Sequence, residues 1–240
     1  VETLKNKKVV IIGGTSGIGL ATAKLATLKG ANIIIASSNQ QRVDNALQEL
    51  PNESKGYAVD ATNESQLKIL FEKIGSFDHL IFTAGEGLIL ENIADASLET
   101  AQKFFNVRYW GAFTAVKYAI PYIRTTGSIT LTSGIASERP NKGWTLSASI
   151  CAAMEGFTRA LAMELAPIRV NIVSPGMVKT ALWSAMPDID RQAMYTNVGN
   201  ALLVKRVGEA ADVAKTFIYL MEQDFGTGQT LIVDGGTSLI

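Results

Sequence analysis

Histidine and cysteine are almost missing from this sequence: His79 and Cys151 are the only examples in 240 residues. One cysteine excludes an internal disulfide and a cysteine-based zinc site, and one histidine leaves no set of imidazoles to hold a metal. An excess of either charge is lacking too. Lys plus Arg and Asp plus Glu each number 22, for a formal net charge of zero, whereas a protein that coats nucleic acid carries a surplus of basic groups. Hydrophobic residues make up 47% of the chain, yet no apolar run approaches the ~20 residues of a membrane span. No leader or lipidation signal is recognisable at its start. These absences predict a cytoplasmic protein that works on a small molecule, with neither a nucleic-acid nor a membrane partner and with no metal.

What is present is a rhythm. Short apolar runs at 8–12, 31–36, 57–59, 79–83, 128–132, 169–173 and 230–233 alternate with amphipathic stretches at 17–29, 41–50, 64–74, 98–123, 147–165 and 210–221. Runs such as Val9-Val10-Ile11-Ile12 lack polar alternation, as strands do when helices cover both faces of a parallel sheet. The expected fold is α/β: one domain over 1–240, a doubly wound parallel sheet of Rossmann type with helices on both faces. Ser97 reads as a helix start and Gly30 as a helix stop. Residues 177–205, with Trp183, Pro187 and Tyr195, have no place in the alternation. A segment of that length outside the pattern predicts a substrate lid.

Gly13-Gly14-Thr15-Ser16-Gly17-Ile18-Gly19 follows the first apolar run and opens the first helical stretch. In that context a glycine cluster reads as a pyrophosphate loop: Gly13 permits the tight turn, Gly17 lets backbone approach a phosphate, and Gly19 lets helix and sheet pack closely. The helix start adds free N–H groups and a positive dipole end.

With this loop the sequence resembles the short-chain dehydrogenase/reductase family, over nearly its whole length. The Gly-x-x-x-Gly-x-Gly spacing matches, although Ile12 replaces the usual Thr before it. Val59-Asp60-Ala61 resembles the adenine-contacting Asp and its neighbour. Thr83-Ala84-Gly85 is similar to the Asn-Asn-Ala-Gly motif, with Phe82 and Thr83 in place of both Asn. Glu164-Leu165-Ala166-Pro167-Ile168-Arg169-Val170-Asn171, then Ser174-Pro175-Gly176, and finally Thr227-Gly228-Gln229 with Val233-Asp234-Gly235-Gly236, follow in the family's order. The resemblance implies a dinucleotide held by Gly13, Thr15, Ser16, Gly17, Ile18, Gly19, Asp60, Ala61, Thr83, Ala84 and Gly85. It implies that Pro175, Gly176, Val178 and Thr180 hold the nicotinamide end. After the second strand this chain has Ser37-Ser38-Asn39. An acidic residue there would bond the ribose and repel a 2′-phosphate; the neutral set favours NADP(H) over NAD(H), with Arg42 either reaching the phosphate or merely solvated.

The resemblance breaks at the catalytic positions. The family works with an Asn, a Ser, a Tyr and a Lys, the phenol delivering a proton and the ammonium lowering its pKa. Local register here puts Ser133 at the serine, Ser147 at the tyrosine, Cys151 at the lysine and Arg108 at the asparagine. No Tyr-x-x-x-Lys occurs in that stretch. Asn106 lies two positions from Arg108 and would point elsewhere. A serine is a poor proton donor without a base, and a neutral thiol supplies no charge. Arg108 does supply one, and its fork suits a developing oxyanion or a carboxylate; the plainer reading is that it fills the lysine's space and pairs with an acid. Cys151 lacks a histidine partner, since His79 is expected at the start of the fourth strand, away from it. Arg139, Lys142 and Tyr195 are weighed as substrate contacts, with solvated charges and a packing aromatic as the simpler roles.

Two functions follow. One is an NADP(H)-dependent oxidoreductase of this family acting on a small carbonyl or hydroxyl, or a related C=C or C=N, with an altered proton path: Ser133 and Arg108 stabilise the oxyanion and water completes the transfer. The alternative is a catalytically impaired NADP(H)-binding sensor or partner subunit. The apolar content of the long helical stretches, together with the resemblance, predicts a homodimer or homotetramer.

Overall fold

The computed structural model describes residues 3–240. Its centre is a seven-stranded sheet built from β1 (Lys8–Ile12), β2 (Asn32–Ser37), β3 (Lys55–Ala58), β4 (Phe77–Phe82), β5 (Ile123–Thr132), β6 (Arg169–Pro175) and, after two short strands described below, β9 (Thr230–Val233). The order across the sheet is β3-β2-β1-β4-β5-β6-β9, with every pairing parallel. The chain runs outward from β1 to β3 and then returns to the other side of β1 for β4. This reversal opens a crevice beyond the carboxyl ends of β1 and β4, where such sheets bind ligands.

The unbroken apolar runs are explained by burial on both faces. Side chains alternate across a strand, so Val10 and Ile12 join one core while Val9 and Ile11 join the other. The first core packs beneath α3 (Glu64–Ile74), α5 (Ala112–Ala119) and α6 (Thr145–Glu164), through Phe71, Ala115, Val116 and Met154. The second is covered by α1 (Gly17–Leu28), α2 (Gln40–Leu47) and α8 (Ala210–Glu222), through Ala23, Ala26, Ala46 and Phe217. Ser97 accepts the Thr100 N–H at 3.1 Å and starts α4 (Leu98–Lys103); Gly30, at φ 86°, follows the end of α1.

Two expectations need correction. The stretch 98–123 is not one helix but α4, a π-helical segment Asn106–Gly111 and α5, and Ile123 already belongs to β5. The apolar pattern continues through the π segment, so periodicity alone does not reveal the extra residue per turn. The region 177–205 is not without structure. It holds the short β7 (Val178–Lys179), a 3₁₀ turn Ala181–Trp183 and the 14-residue α7 (Asp188–Ala201); β7 pairs with β8 (Gly208–Glu209). Tyr195 is buried with Leu202 and Val207, so it packs the base of this region. Its pattern is weak because the helix buries little besides Tyr195 and Gly199.

His79 is the third residue of β4 rather than its first; it is buried, with Nδ1 2.9 Å from Ser128 Oγ. Loss of solvent lowers its pKa from 6.5 to about 4. In the unfolded chain the imidazole titrates near ~6.5, so between these values the unfolded state binds a proton that the native state refuses. The stability involved is complete above the unfolded pKa and is lost as pH falls through the folded one, by up to about 3 kcal/mol. Urea denaturation from pH 7.5 to 4 should show this decline, and His79→Gln should remove that part of the slope. An unchanged slope would mean that other groups carry the acid sensitivity.

Candidate active site

The loop after β1 has the shape a pyrophosphate requires. Gly13 has φ 90°, and a Cβ there would lie 2.5 Å from the Ala84 backbone nitrogen. A Cβ on Gly19 would lie 2.2 Å from the Gly13 carbonyl oxygen and 2.6 Å from Thr83 Oγ1. Glycine at both positions therefore lets the loop, the start of α1 and the end of β4 close on one another. Thr83 Oγ1 secures the contact by donating to the Gly13 carbonyl oxygen at 3.2 Å. Gly17, at φ 51°, faces the Thr180 side chain at 3.3 Å instead of the sheet. The side chain of Ser16 makes no cap hydrogen bond, and the first turn of α1 has no acidic residue. The amides at this helix end are thus free of side-chain acceptors and of negative charge, and the cradle fits a dinucleotide phosphate.

The flanking residues follow the carboxyl ends of β1, β2, β3 and β6. Ser37 ends β2 half-buried, and Ser38, Asn39 and Arg42 are exposed. Asn39 Oδ1 accepts the Arg42 N–H at 2.9 Å and caps α2. Asp60 Oδ1 takes the Thr62 N–H and hydroxyl, both at 2.8 Å. Ala61 is buried, its carbonyl 3.1 Å from where a Gly111 Cβ would stand. Pro175 ends β6, Gly176 packs against Asp234, and Val178 is buried beside Gly208. Thr180 caps the 3₁₀ turn by accepting from Leu182 N–H. Thr15 and Ile18 are half-buried in the glycine loop.

The four candidate catalytic residues occupy three elements. Ser133 follows β5, its N–H bound to Val173 O at 2.8 Å and its side chain buried. Ser147 and Cys151 lie one turn apart on the buried face of α6. Ser147 is 7% exposed, and its Oγ has no partner among the described residues. Arg108 lies in the π segment, where the Trp110 N–H reaches back five residues to Phe105 O at 3.0 Å. Its guanidinium lies against Gly85, with Nη1 4.0 Å from Cys151 Sγ. No carboxylate stands within ion-pair distance of it among the described residues, so the alternative in which it pairs with an acid finds no partner there. Asn106 is exposed, and so are Arg139 and Lys142. Burial raises the Cys151 pKa, against the opposing pull of Arg108 and Ser133. A thiol held protonated is a poor nucleophile.

Two carboxylates escaped the sequence reading. Glu86 Oε1 accepts the Val107 and Arg108 N–H groups at 2.5 and 3.1 Å. It thereby takes amides that a regular helix would satisfy internally, and it supports the widened turn that aims Arg108. Glu155 is buried, with Oε1 accepting from Ser133 Oγ at 2.9 Å and Ser137 Oγ at 2.6 Å. Its spacing of four from Cys151 and eight from Ser147 was the available signal, because that spacing returns to one helix face. Glu86 left no comparable sign.

A glycine-rich turn at the switch point of a parallel sheet defines the dinucleotide-binding α/β class. Within it, the SDR-like Rossmann domain model matches residues 1–240, and the chain belongs to the short-chain dehydrogenase/reductase family. It is 36% identical over 255 residues to short-chain dehydrogenase/reductase ATR9 of Stachybotrys chlorohalonatus, covering 100% of both chains. It is 30% identical to carbonyl reductase family member 4 of Danio rerio, over 98% of this chain and 99% of that protein. Among solved structures it is similar to a small-chain dehydrogenase in complex with NADPH, at 37% identity and a TM-score of 0.88, covering 98% of this chain and 100% of the other. It is also similar to the MalC reductase/Diels-Alderase of Malbranchea aurantiaca, at 30% identity and a TM-score of 0.92, covering 100% and 99%. Among the described residues no helix is long and apolar enough to cross a membrane.

Proposed function

We propose that this protein is an NADP(H)-dependent oxidoreductase for a small carbonyl or hydroxyl substrate, or a related C=C or C=N, in which the family's Tyr and Lys are replaced and the proton path is altered. One observation carries this reading: Arg108 presents a guanidinium that forms no ion pair among the described residues, beside Cys151 and Gly85 and on the side of the sheet where the glycine loop would hold a dinucleotide. When bound, the dinucleotide supplies or accepts the hydride equivalent. Arg108 then stabilises negative charge on the substrate oxygen, as a preorganised cation does at little reorganisation cost. Ser133 and the unpartnered Ser147 hydroxyl are the polar groups that meet that oxygen, and Cys151 spaces Arg108 from Ser133. The region 177–205 covers the site as a lid. Titration with NADPH and NADH, followed by absorbance assays on ketones, quinones and imines, tests the reading. Tight NADPH binding with no turnover on any of them would favour the sensor or partner-subunit alternative.

The cofactor preference rests on Ser37, Ser38 and Asn39, which bring no negative charge to the end of β2. Ser37→Asp should weaken NADPH through repulsion of the 2′-phosphate and relatively favour NADH. Equal or tighter NADH binding by the unmodified protein would refute the preference.

A homodimer or homotetramer is proposed on the outer face of α5 and α6 and the adjoining π segment. Trp110 is 54% exposed and Phe113 43% exposed, their rings form a closed set of contacts with Tyr109 and Phe157 in which only Phe113 and Phe157 are stacked, and Met163 projects at 84%. So much clustered aromatic surface is better covered than hydrated. Light scattering should give a multiple of the chain mass, and Trp110→Glu with Phe113→Glu should reduce it. A monomer at micromolar concentration would end this proposal.

A further inference from the structure

Phe104 and Phe105 interrupt what the apolar pattern makes one helix. α4 ends at Lys103, and a second helical run, the π segment followed by α5, starts with Phe105 as its cap residue. The first amides of a helix have no carbonyl behind them to donate to, and a side chain at the cap position accepts from the second or third of them. Phe105 has no such acceptor and makes no side-chain cap hydrogen bond. Val107 and Arg108 hold those second and third positions, and Glu86 Oε1, from the segment after β4, accepts from both. A carboxylate there also faces the positive end of the helix. Glu86 Oε2 is buried without a partner, so these two amides are the polar contacts of the carboxylate among the described residues.

An unbroken helix lies close to this conformation. Phe104, at φ −62° and ψ −18°, and Phe105, at φ −93° and ψ −6°, are both already in the right-handed helical region. In a continuous helix the Val107 and Arg108 amides would donate to the Lys103 and Phe104 carbonyl oxygens, four residues back. The Trp110 N–H, now bound to Phe105 O, would donate to Asn106 O instead. Closing the break in this way removes the extra residue of the π turn and rotates its two sides by about 100° relative to each other. Arg108 stands inside the segment that takes up the change.

Consecutive residues hold Arg108 at both ends. Glu86 accepts its backbone N–H at 3.1 Å, and the guanidinium lies along Gly85, where a Cβ would stand 2.9 Å from Nη2 and 3.1 Å from Nε. Glu86 meets the backbone of Arg108 and forms no ion pair with its side chain among the described residues. The group that places the guanidinium therefore does not neutralise it.

We infer that Glu86 is the positioning residue of this site: its carboxylate keeps the chain broken at Phe104 and Phe105, and so fixes the Arg108 guanidinium against Gly85 beside Cys151. The consequence for turnover rests on the oxidoreductase reading above, whereas the consequence for residues 104–111 does not.

The test compares Glu86→Ala, which removes the acceptor, with Glu86→Gln, which keeps one oxygen to accept both amides. Glu86→Ala should lower kcat by about 10²-fold, approaching the loss expected of Arg108→Ala, with little change in NADPH affinity. Glu86→Gln should retain most of the turnover. In an Arg108→Ala background, Glu86→Ala should cost little more, because the two residues act as a unit. Unchanged turnover in Glu86→Ala, equal losses in the two variants, or a full further loss in the Arg108→Ala background would overturn the inference. Crystal structures of the apoproteins give a readout independent of turnover. In Glu86→Ala the Val107 and Arg108 amides should donate to Lys103 O and Phe104 O, and the guanidinium should leave Gly85. In Glu86→Gln both should stay in place. An Arg108 still seated on Gly85 in Glu86→Ala would overturn the positioning role even if the protein proved to have no oxidoreductase activity. Should Glu86→Ala fail to fold, Glu86→Gln decides alone: a guanidinium away from Gly85 in that variant overturns the inference, and one seated there upholds it.

Discussion

Arg108→Ala is expected to reduce turnover by about 10²–10³-fold, the range for removing one preorganised donor to a developing oxyanion, and to leave NADPH affinity unchanged. The separation follows from position. The guanidinium touches Gly85 and approaches Cys151, whereas the phosphate cradle is made by Gly13, Gly17 and Gly19 on another element. Arg108→Lys should recover only part of the rate, because a point charge on a flexible stem does not reproduce a planar fork. Cys151→Ala should cost little, since that thiol is protonated and serves as a spacer. The double substitution Ser147→Tyr with Cys151→Lys is the complementary experiment. Arg108 Nη1 is already 4.0 Å from Cys151 Sγ, so a new ammonium would meet a like charge, and ordinary carbonyl reduction should appear weakly unless Arg108 is neutralised too. Unchanged turnover of Arg108→Ala on a confirmed substrate would remove the oxyanion role.

Gly19→Val should cause the other large loss, this time of cofactor affinity. Its Cβ would stand 2.2 Å from the Gly13 carbonyl oxygen and 2.6 Å from Thr83 Oγ1. The first neighbour is backbone and cannot rotate away, so the start of α1 must move off the loop that follows β1. Overpacking of this kind costs about 1–3 kcal/mol, and the displaced amides no longer converge on one phosphate. NADPH binding measured by fluorescence should weaken by at least ~10-fold, a loss of about 1.4 kcal/mol. Gly17→Ala provides the contrast. Its nearest neighbour is a side chain, that of Thr180 at 3.3 Å, and not backbone, though φ 51° leaves the new residue strained. Gly17→Ala should therefore be the milder of the two. Equal affinity in Gly19→Val and the unmodified protein would mean that the loop does not carry the phosphate.

The sequence by itself determined those features that depend on neighbours along the chain. Val9-Val10-Ile11-Ile12 announced a strand buried on both faces, and Gly13 to Gly19 announced the turn that follows it. Ser97 and Gly30 announced where helices begin and stop. The family motifs placed Ser133, Ser147 and Cys151 on the elements where the structure has them. Tertiary structure alone decided what crosses between elements. Glu86 meets the amides of Val107 and Arg108 from 21 and 22 residues away, and Glu155 meets Ser133 from 22. That first carboxylate accepts two amides of the widened turn at 106–111 from outside the segment, and the apolar pattern of 98–123 still looked like one helix. That Arg108 has no ion pair among the described residues is of the same kind. A charge along the chain does not show whether an acid will fold against it, because the answer depends on which side chains the sheet brings together from distant segments.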